Sequence, residues 1–240
     1  MPRPLQIFVS CEHASNRVPS PYLYLFAGHE AVLESHRGYD LGILPLAEAL
    51  AAEFGSPLIS GDITRLVIDL NRSCKSRSLF SEFTRGLPAC EREEILRRYH
   101  HPYWSAVEDI VAGMIATNKR VLHLSVHSFT PCLHGEIRNA DVGLLYDPAR
   151  PDEKSWCLQW QQALTIRQPG LRIRRNYPYR GNADALVTAL RKRFAADSYL
   201  GIELEINQQV PLEKQLLWIT LQQQLLASLR AIQQFSGQMQ

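Results

Sequence analysis

Two histidines, His13 in SCEHASNRVP and His127 in HSFTP, each follow an apolar run rich in β-branched residues. Paired strand-end imidazoles with one carboxylate make a zinc site, because neutral nitrogen and carboxylate oxygen suit a borderline cation. Three protein ligands then leave one position open for water. One divalent ion is expected here, zinc or another of similar preference. Several acids could complete the set: Glu12 beside His13, Glu34, and Asp40, which heads the amphipathic stretch from Leu41 and also reads as its N-cap. Asn16, three residues after His13, offers only a neutral amide oxygen.

Glu203 and Glu205 alternate in GIELEIN and so share one face of an otherwise apolar strand. Two acids there repel each other and are costly to bury without partners, which marks them as functional. A carboxylate facing an activated water is the proton shuttle that amide hydrolysis needs, so one of the pair is the expected general base.

In RLVIDLNRS, strand alternation turns Asp69 and Asn71 one way and Leu70 and Arg72 the other. The planar fork of Arg72 and the amide of Asn71 suit a substrate carboxylate, and Arg65 and Arg138 could complete an anion pocket. Asp69 also reads as a structural partner of Arg65 or Arg72. His36 in HRGYD is read as shaping the loop that carries Asp40. His100 and His101 in RRYHHPYW are read as a solvated face broken at Pro102. The cysteines, Cys11 and Cys132 among them, are read as buried thiols.

Six short apolar runs read as strands: 7–10, 57–60, 66–70, 121–126, 142–145 and 200–206. Helical spacing predicts helices from Leu41 to Phe54 and over 91–117, 154–166, 184–194 and 211–235, the last with Leu212, Leu216, Ile219, Leu226 and Leu229 on one face. Strands alternating with helices predict a three-layer α/β/α sandwich around a mixed sheet, with ligands gathering at the carboxyl ends of strands. At 240 residues, 45% hydrophobic and 21% charged, the chain is expected to form one domain over 1–240.

A formal charge of +2 with scattered Lys and Arg speaks against a nucleic-acid partner. The odd set of five cysteines lacks any CxxC pair, which argues against a disulfide framework or a zinc knuckle and for a reducing cytoplasm. No run approaches the roughly 20 apolar residues of a membrane span, and the opening Met-Pro-Arg-Pro-Leu-Gln carries no apolar leader.

Taken in order, SCEHASNRVP, HRGYDLG, TRLVIDLNRS, HSFTP with GEIR and DVGLLYD, RRNYPYRG and GIELEIN resemble the N-formylglutamate amidohydrolase family, within the zinc carboxypeptidase-like hydrolases. The resemblance implies that His13, His127 and Asp40 are metal ligands, leaving Glu12 and Asn16 to support those ligands from behind or to shape the turn. Other members use a histidine-x-x-glutamate pair, but Asn16 holds that position here. It further implies that Asn71 and Arg72 hold a substrate carboxylate, with Arg138 as a second anchor. Glu205 matches the catalytic glutamate with Glu203 beside it, and Asn176, Tyr179 and Gly181 belong to a loop bordering the substrate. The activity implied is zinc-dependent cleavage of an N-formyl or other N-acyl group from a small acidic amino acid such as N-formyl-L-glutamate. Two alternatives stay open. One is a zinc amidase or peptidase of the same fold acting on a cell-wall peptide fragment. The other is a non-catalytic binding module, against which the set His13, Asp40, His127 and Glu205 speaks.

Overall fold

Strand alternation sorts the central residues of this protein into an apolar face and a partly polar one. In the computed structural model, which describes residues 3–238 with side chains through 234, the strands are β1 (Leu5–Cys11), β2 (Leu58–Ser60), β3 (Arg120–Phe129), β4 (Cys132–Leu133), β5 (Glu136–Ile137), β6 (Val142–Leu145), β7 (Ile173–Arg175) and β8 (Tyr199–Asn207). Six of them form one sheet in the order β2-β1-β3-β8-β6-β7, and β4 and β5 make a small antiparallel ribbon. All neighbours in the large sheet run parallel except β6 and β8. The mixed sheet is as expected.

The helices are α1 (Glu30–Leu33), α2 (Leu44–Glu53), α3 (Ala89–Ile95), α4 (His101–Ala116), α5 (Pro151–Arg167), α6 (Leu186–Arg193), α7 (Gln209–Glu213) and α8 (Gln215–Gln238). On one side of the sheet, Val9, Leu122, Leu124, Ile202 and Leu204 pack under α2, α5 and α8. On the other, Phe8, Val121 and Tyr199 meet α4 and α6. This is the α/β/α sandwich. The second face also carries Ser10, His123, Ser125, His127, Glu203 and Glu205, all buried.

Several elements depart from the sequence reading. Residues 66–70 are turn and coil rather than a strand. Leu66, Val67, Ile68 and Leu70 are buried against the α4 side of the core, so the apolar run reflects burial rather than sheet pairing. Asp40 is not a helix cap. Gly42, at φ 73°, interrupts the chain after it, and α2 starts only at Leu44 with Pro45 in its first turn. The long helix over 91–117 is instead α3 and α4 joined by a π turn at Leu96–His100. Pro102 accounts for it: lacking an N–H, it cannot donate to the carbonyl four residues back.

At the carboxyl end, α7 and α8 part at Lys214. The buried stripe there is Trp218, Leu221, Leu225, Leu229 and Ile232, whereas Leu212, Leu216 and Ile219 are exposed. Of the predicted stripe, Leu229 lies in the core and Leu226 packs against its edge. The strand β7 escaped notice because its charged sequence buries only Ile173. All five cysteines are free. Cys11 and Cys157 are buried, but Cys132, Cys74 and Cys90 are exposed, contrary to expectation. Among the described residues, no helix is long and apolar enough to cross a membrane.

Candidate active site

Register builds the site. Across the β3–β8 pair, Ser125 lies opposite Glu203 and His127 opposite Glu205. Across β1–β3, Ser10 lies opposite Ser125, so Glu12 and His13, just past β1, rise beside the end of β3. His13, Asp40 and His127 are all buried, and one ligand-type atom from each lies within 4.8 Å of the others. Asp40 Oδ2 is 2.9 Å from His127 Nδ1 and 3.5 Å from His13 Nδ1. It also accepts from the Ser128 N–H at 3.1 Å. Asn16 and Glu34 are elsewhere, joined to each other by a 2.9 Å hydrogen bond at the surface.

Each histidine is held from behind by another acid. His13 Nε2 is 2.7 Å from Asp69 Oδ1, and His127 Nε2 is 3.0 Å from Glu12 Oε2. Ser125 donates to Glu12 at 2.7 Å, and Ser10 donates to its other oxygen at 2.5 Å. Carboxylates behind the far ring nitrogens fix the orientation of imidazoles whose near nitrogens ligate a cation. Among the buried polar atoms, His13 Nδ1 lacks a hydrogen-bond partner. From the sequence, Asp69 reads as a structural partner of an arginine and Glu12 as an alternative third ligand or a support to the turn; in the fold both lie behind the histidines. Their contacts with the histidines cross 56 and 115 residues of chain (69 − 13 and 127 − 12), which no local pattern reveals.

Electrostatics follow from this packing. Burial opposes charge on His127, but the Asp40 and Glu12 carboxylates outweigh it and raise its pKa well above the ordinary value. Burial likewise opposes ionisation of Glu12, yet its bond to His127 holds the carboxyl down at about 2. Asp40 and Asp69 are also lowered against burial, Asp40 by the two histidines and Asp69 by His13 and Arg65. Glu205 behaves oppositely. Burial pushes its carboxyl up to about 8, aided by the nearby Asp40 and Glu203 charges. Glu205 is only 5% exposed, and its Oε2 has no hydrogen-bond partner.

An inner cavity of about 140 Å³ is lined by His13, Asp40, His127, Glu203, Glu205, Asn71, Arg65, Arg72, Tyr179 and Arg180. It adjoins an outer cleft of about 560 Å³ that shares Asp40, Arg65, Ser128 and Tyr179 and adds His36, Arg37, Arg77 and Arg85. Arg65 is bound to Asp40 at 3.2 Å and Asp69 at 3.0 Å, and Arg72 donates to the Asp184 carbonyl. Asn71 is held within the fold, accepting from the Leu186 N–H at 2.9 Å and donating to Glu203 at 3.3 Å. Arg138 donates to the Tyr179 hydroxyl at 2.9 Å.

Asn176 is not among the residues lining either cavity. Its Oδ1 accepts from the N–H groups of Tyr146 at 3.0 Å and Gly181 at 3.2 Å, so it shapes the RRNYPYRG loop. His36 lines the outer cleft and is not one of the clustered ligands. Arg180, in that same loop, was overlooked because a single arginine in an arginine-rich stretch carries no distinguishing spacing. His100 is buried, not solvated; Nε2 donates to the Arg72 carbonyl at 2.8 Å. Cys11 lies in the apolar core, where burial pushes its thiol well up, which disqualifies it as a nucleophile.

Fold and site together define a three-layer α/β protein whose mixed sheet carries a buried histidine–carboxylate centre at the carboxyl ends of its parallel strands. The chain belongs to the N-formylglutamate amidohydrolase family, which it matches over residues 5–211. It is similar to gene product Atu2144 from Agrobacterium tumefaciens, with 28% identity and a TM-score of 0.76 over 95% of this chain and 91% of that one. The N-formylglutamate amidohydrolase of Ralstonia eutropha JMP134 shares the fold at 18% identity and a TM-score of 0.71, over 98% and 94% of the two chains. Comparison with curated proteins finds no match.

Proposed function

We propose that this protein is a divalent-cation-dependent amidohydrolase, with zinc the ion its donors favour, that removes the formyl group from an acidic amino acid such as N-formyl-L-glutamate. The observation that carries the reading is the unpartnered Oε2 of buried Glu205, in the same cavity as His13, Asp40 and His127. The donors suit such a cation: two imidazoles, each backed by a carboxylate, and one further carboxylate, with His13 Nδ1 buried and lacking a hydrogen bond. His13, Asp40 and His127 would hold it. When bound, a cation of this kind supplies Lewis-acid polarisation of the acyl carbonyl and makes water more acidic.

The chain's own residues do the rest. Glu205 takes a proton from the attacking water and returns it to the leaving nitrogen, so the amide C–N bond breaks to give formate and the free amine. Glu203, held by Asn71, keeps a second negative charge beside it and sustains its basicity. Arg72 and Arg180, both lining the inner cavity, bind the substrate carboxylates. Arg65 steadies Asp40 and Asp69. Arg138 supports Tyr179 at the rim. The protein acts as a single domain on a small molecule, and its five free thiols suit the cytoplasm.

The test is a panel of N-acyl amino acids given to zinc-loaded protein, following amine release together with metal content. Turnover of N-formyl-L-glutamate well above N-acetyl and uncharged analogues is expected, with a stoichiometric ion at the centre. Protein that binds no divalent ion when zinc is supplied would remove the reading. The outer cleft, at about 560 Å³, favours a second reading in which a larger substrate such as a cell-wall peptide fragment is cleaved by the same groups. Peptide amides in the same panel separate the two.

A further inference from the structure

Cys74, His100 and His101 converge behind the loop that carries Arg72. The Cys74 Sγ lies 3.7 Å from His100 Nδ1 and 3.8 Å from His101 Nε2, and the three ligand-type atoms are within 4.8 Å of one another. We propose that these three residues form a second metal site, for zinc or another borderline divalent ion, separate from the histidine–carboxylate centre.

Distance, orientation and chemistry agree. Bond lengths of about 2.3 Å to thiolate and about 2.0–2.1 Å to imidazole set sulfur and nitrogen roughly 3.5 Å apart in a tetrahedral zinc site. Both separations here are within a few tenths of an ångström of that. The His100 ring is fixed in the orientation a ligand needs. Its Nε2 donates to the Arg72 carbonyl at 2.8 Å, so the hydrogen sits there and the Nδ1 lone pair faces the sulfur. Trp104 stacks on the same ring at 4.9 Å and donates to the Leu70 carbonyl at 2.8 Å.

Adjacent residues on a helix do not face each other. His100 ends the π turn and His101 begins α4, and their rings stand edge-on, 5.8 Å apart, each with a nitrogen within 3.8 Å of the Cys74 sulfur. Cys74 and His101 are exposed, so an ion can enter and water can complete its shell. Thiolate with two imidazoles selects zinc and its neighbours over magnesium or calcium. A bound ion would tie the head of α4 to the segment containing Asn71 and Arg72.

Cobalt(II), which takes zinc sites and reports sulfur ligation by a near-ultraviolet thiolate charge-transfer band, is the probe. The histidine–carboxylate centre contains no sulfur, so that band isolates the second site. Wild-type protein should develop the band, lose it when zinc is added, and keep it in Asp40→Asn, where the first centre is damaged. Cys74→Ser should abolish the band, and His101→Ala should weaken cobalt affinity at least tenfold; both positions are exposed, so the fold should survive. A wild-type protein without the band would overturn the proposal, leaving an ordinary thiol–imidazole hydrogen bond. A band that persists in Cys74→Ser would overturn it equally, by assigning the sulfur to Cys90 or Cys132.

Discussion

His127 and Glu205 stand opposite each other on neighbouring parallel strands, one set among carboxylates and the other with an unpartnered carboxylate oxygen. The pairing sets two environments side by side: the histidine lies against Asp40 and Glu12, while Glu205 Oε2 has no hydrogen-bond partner.

Glu205→Gln should retain the metal and lose turnover by about 10²- to 10⁴-fold, the usual range for removing a general base. Single-turnover rates and metal content measured on the same preparation check this. Activity within a few-fold of wild type would move the base to Glu203.

Glu12→Gln and Asp69→Asn touch the far nitrogens of the two histidines. Each should weaken cation affinity by about 10- to 100-fold with little change in circular dichroism. Competition against a zinc chelator reads the change, and unaltered affinity would show that the acids matter only for packing.

Arg72→Ala should raise KM for acidic substrates by roughly 10- to 100-fold, consistent with about 1.5–3 kcal/mol for a charged hydrogen bond. Its effect on uncharged amides should be much smaller. An equal loss on both classes would end the argument that Arg72 reads a carboxylate.

Stability of the metal-free protein should depend on pH in both directions. Glu12 drops from 4.5 to about 2 on folding, and Asp40 and Asp69 are also lowered. Their stabilisation is complete above their unfolded values and disappears as pH falls through the folded ones. His127 has the opposite sign, contributing fully below its unfolded value of 6.5 and losing that contribution as pH rises through its raised value. Glu205, raised from 4.5 to about 8, also makes the fold less stable as pH climbs between those values. Urea midpoints should therefore peak near about pH 5 and decline towards pH 3 and pH 8. A flat profile from pH 5 to 8 would contradict the burial of these groups.

Gly143 lies opposite Glu205 on the antiparallel neighbour β6. A Cβ there would sit 2.2 Å from the Tyr177 carbonyl oxygen and 3.1 Å from the Glu205 Cβ. Gly143→Ala should cost about 1–3 kcal/mol through overpacking and should also lower kcat. Thermal melts with steady-state kinetics test both.

Much of this was legible in the chain. Period-two alternation put Glu203 and Glu205 on one face, and the apolar runs located β1, β3, β6 and β8, because those signals lie within a few residues. The ordered motifs from SCEHASNRVP to GIELEIN pointed to the family. The resemblance already pointed to Asp40, whereas tertiary structure decided which acids stand behind the histidines. It brought Asp40 from the loop before α2 to His127, and set Asp69 and Glu12 behind the rings. The same is true of RLVIDLNRS, whose alternation is strand-like although residues 66–70 fold as turn and coil. The Cys74, His100 and His101 cluster exists only because a π turn and a loop meet in space. Local sequence records periodicity and turn chemistry; long-range convergence of side chains depends on how the layers pack, and packing joins residues the chain keeps far apart.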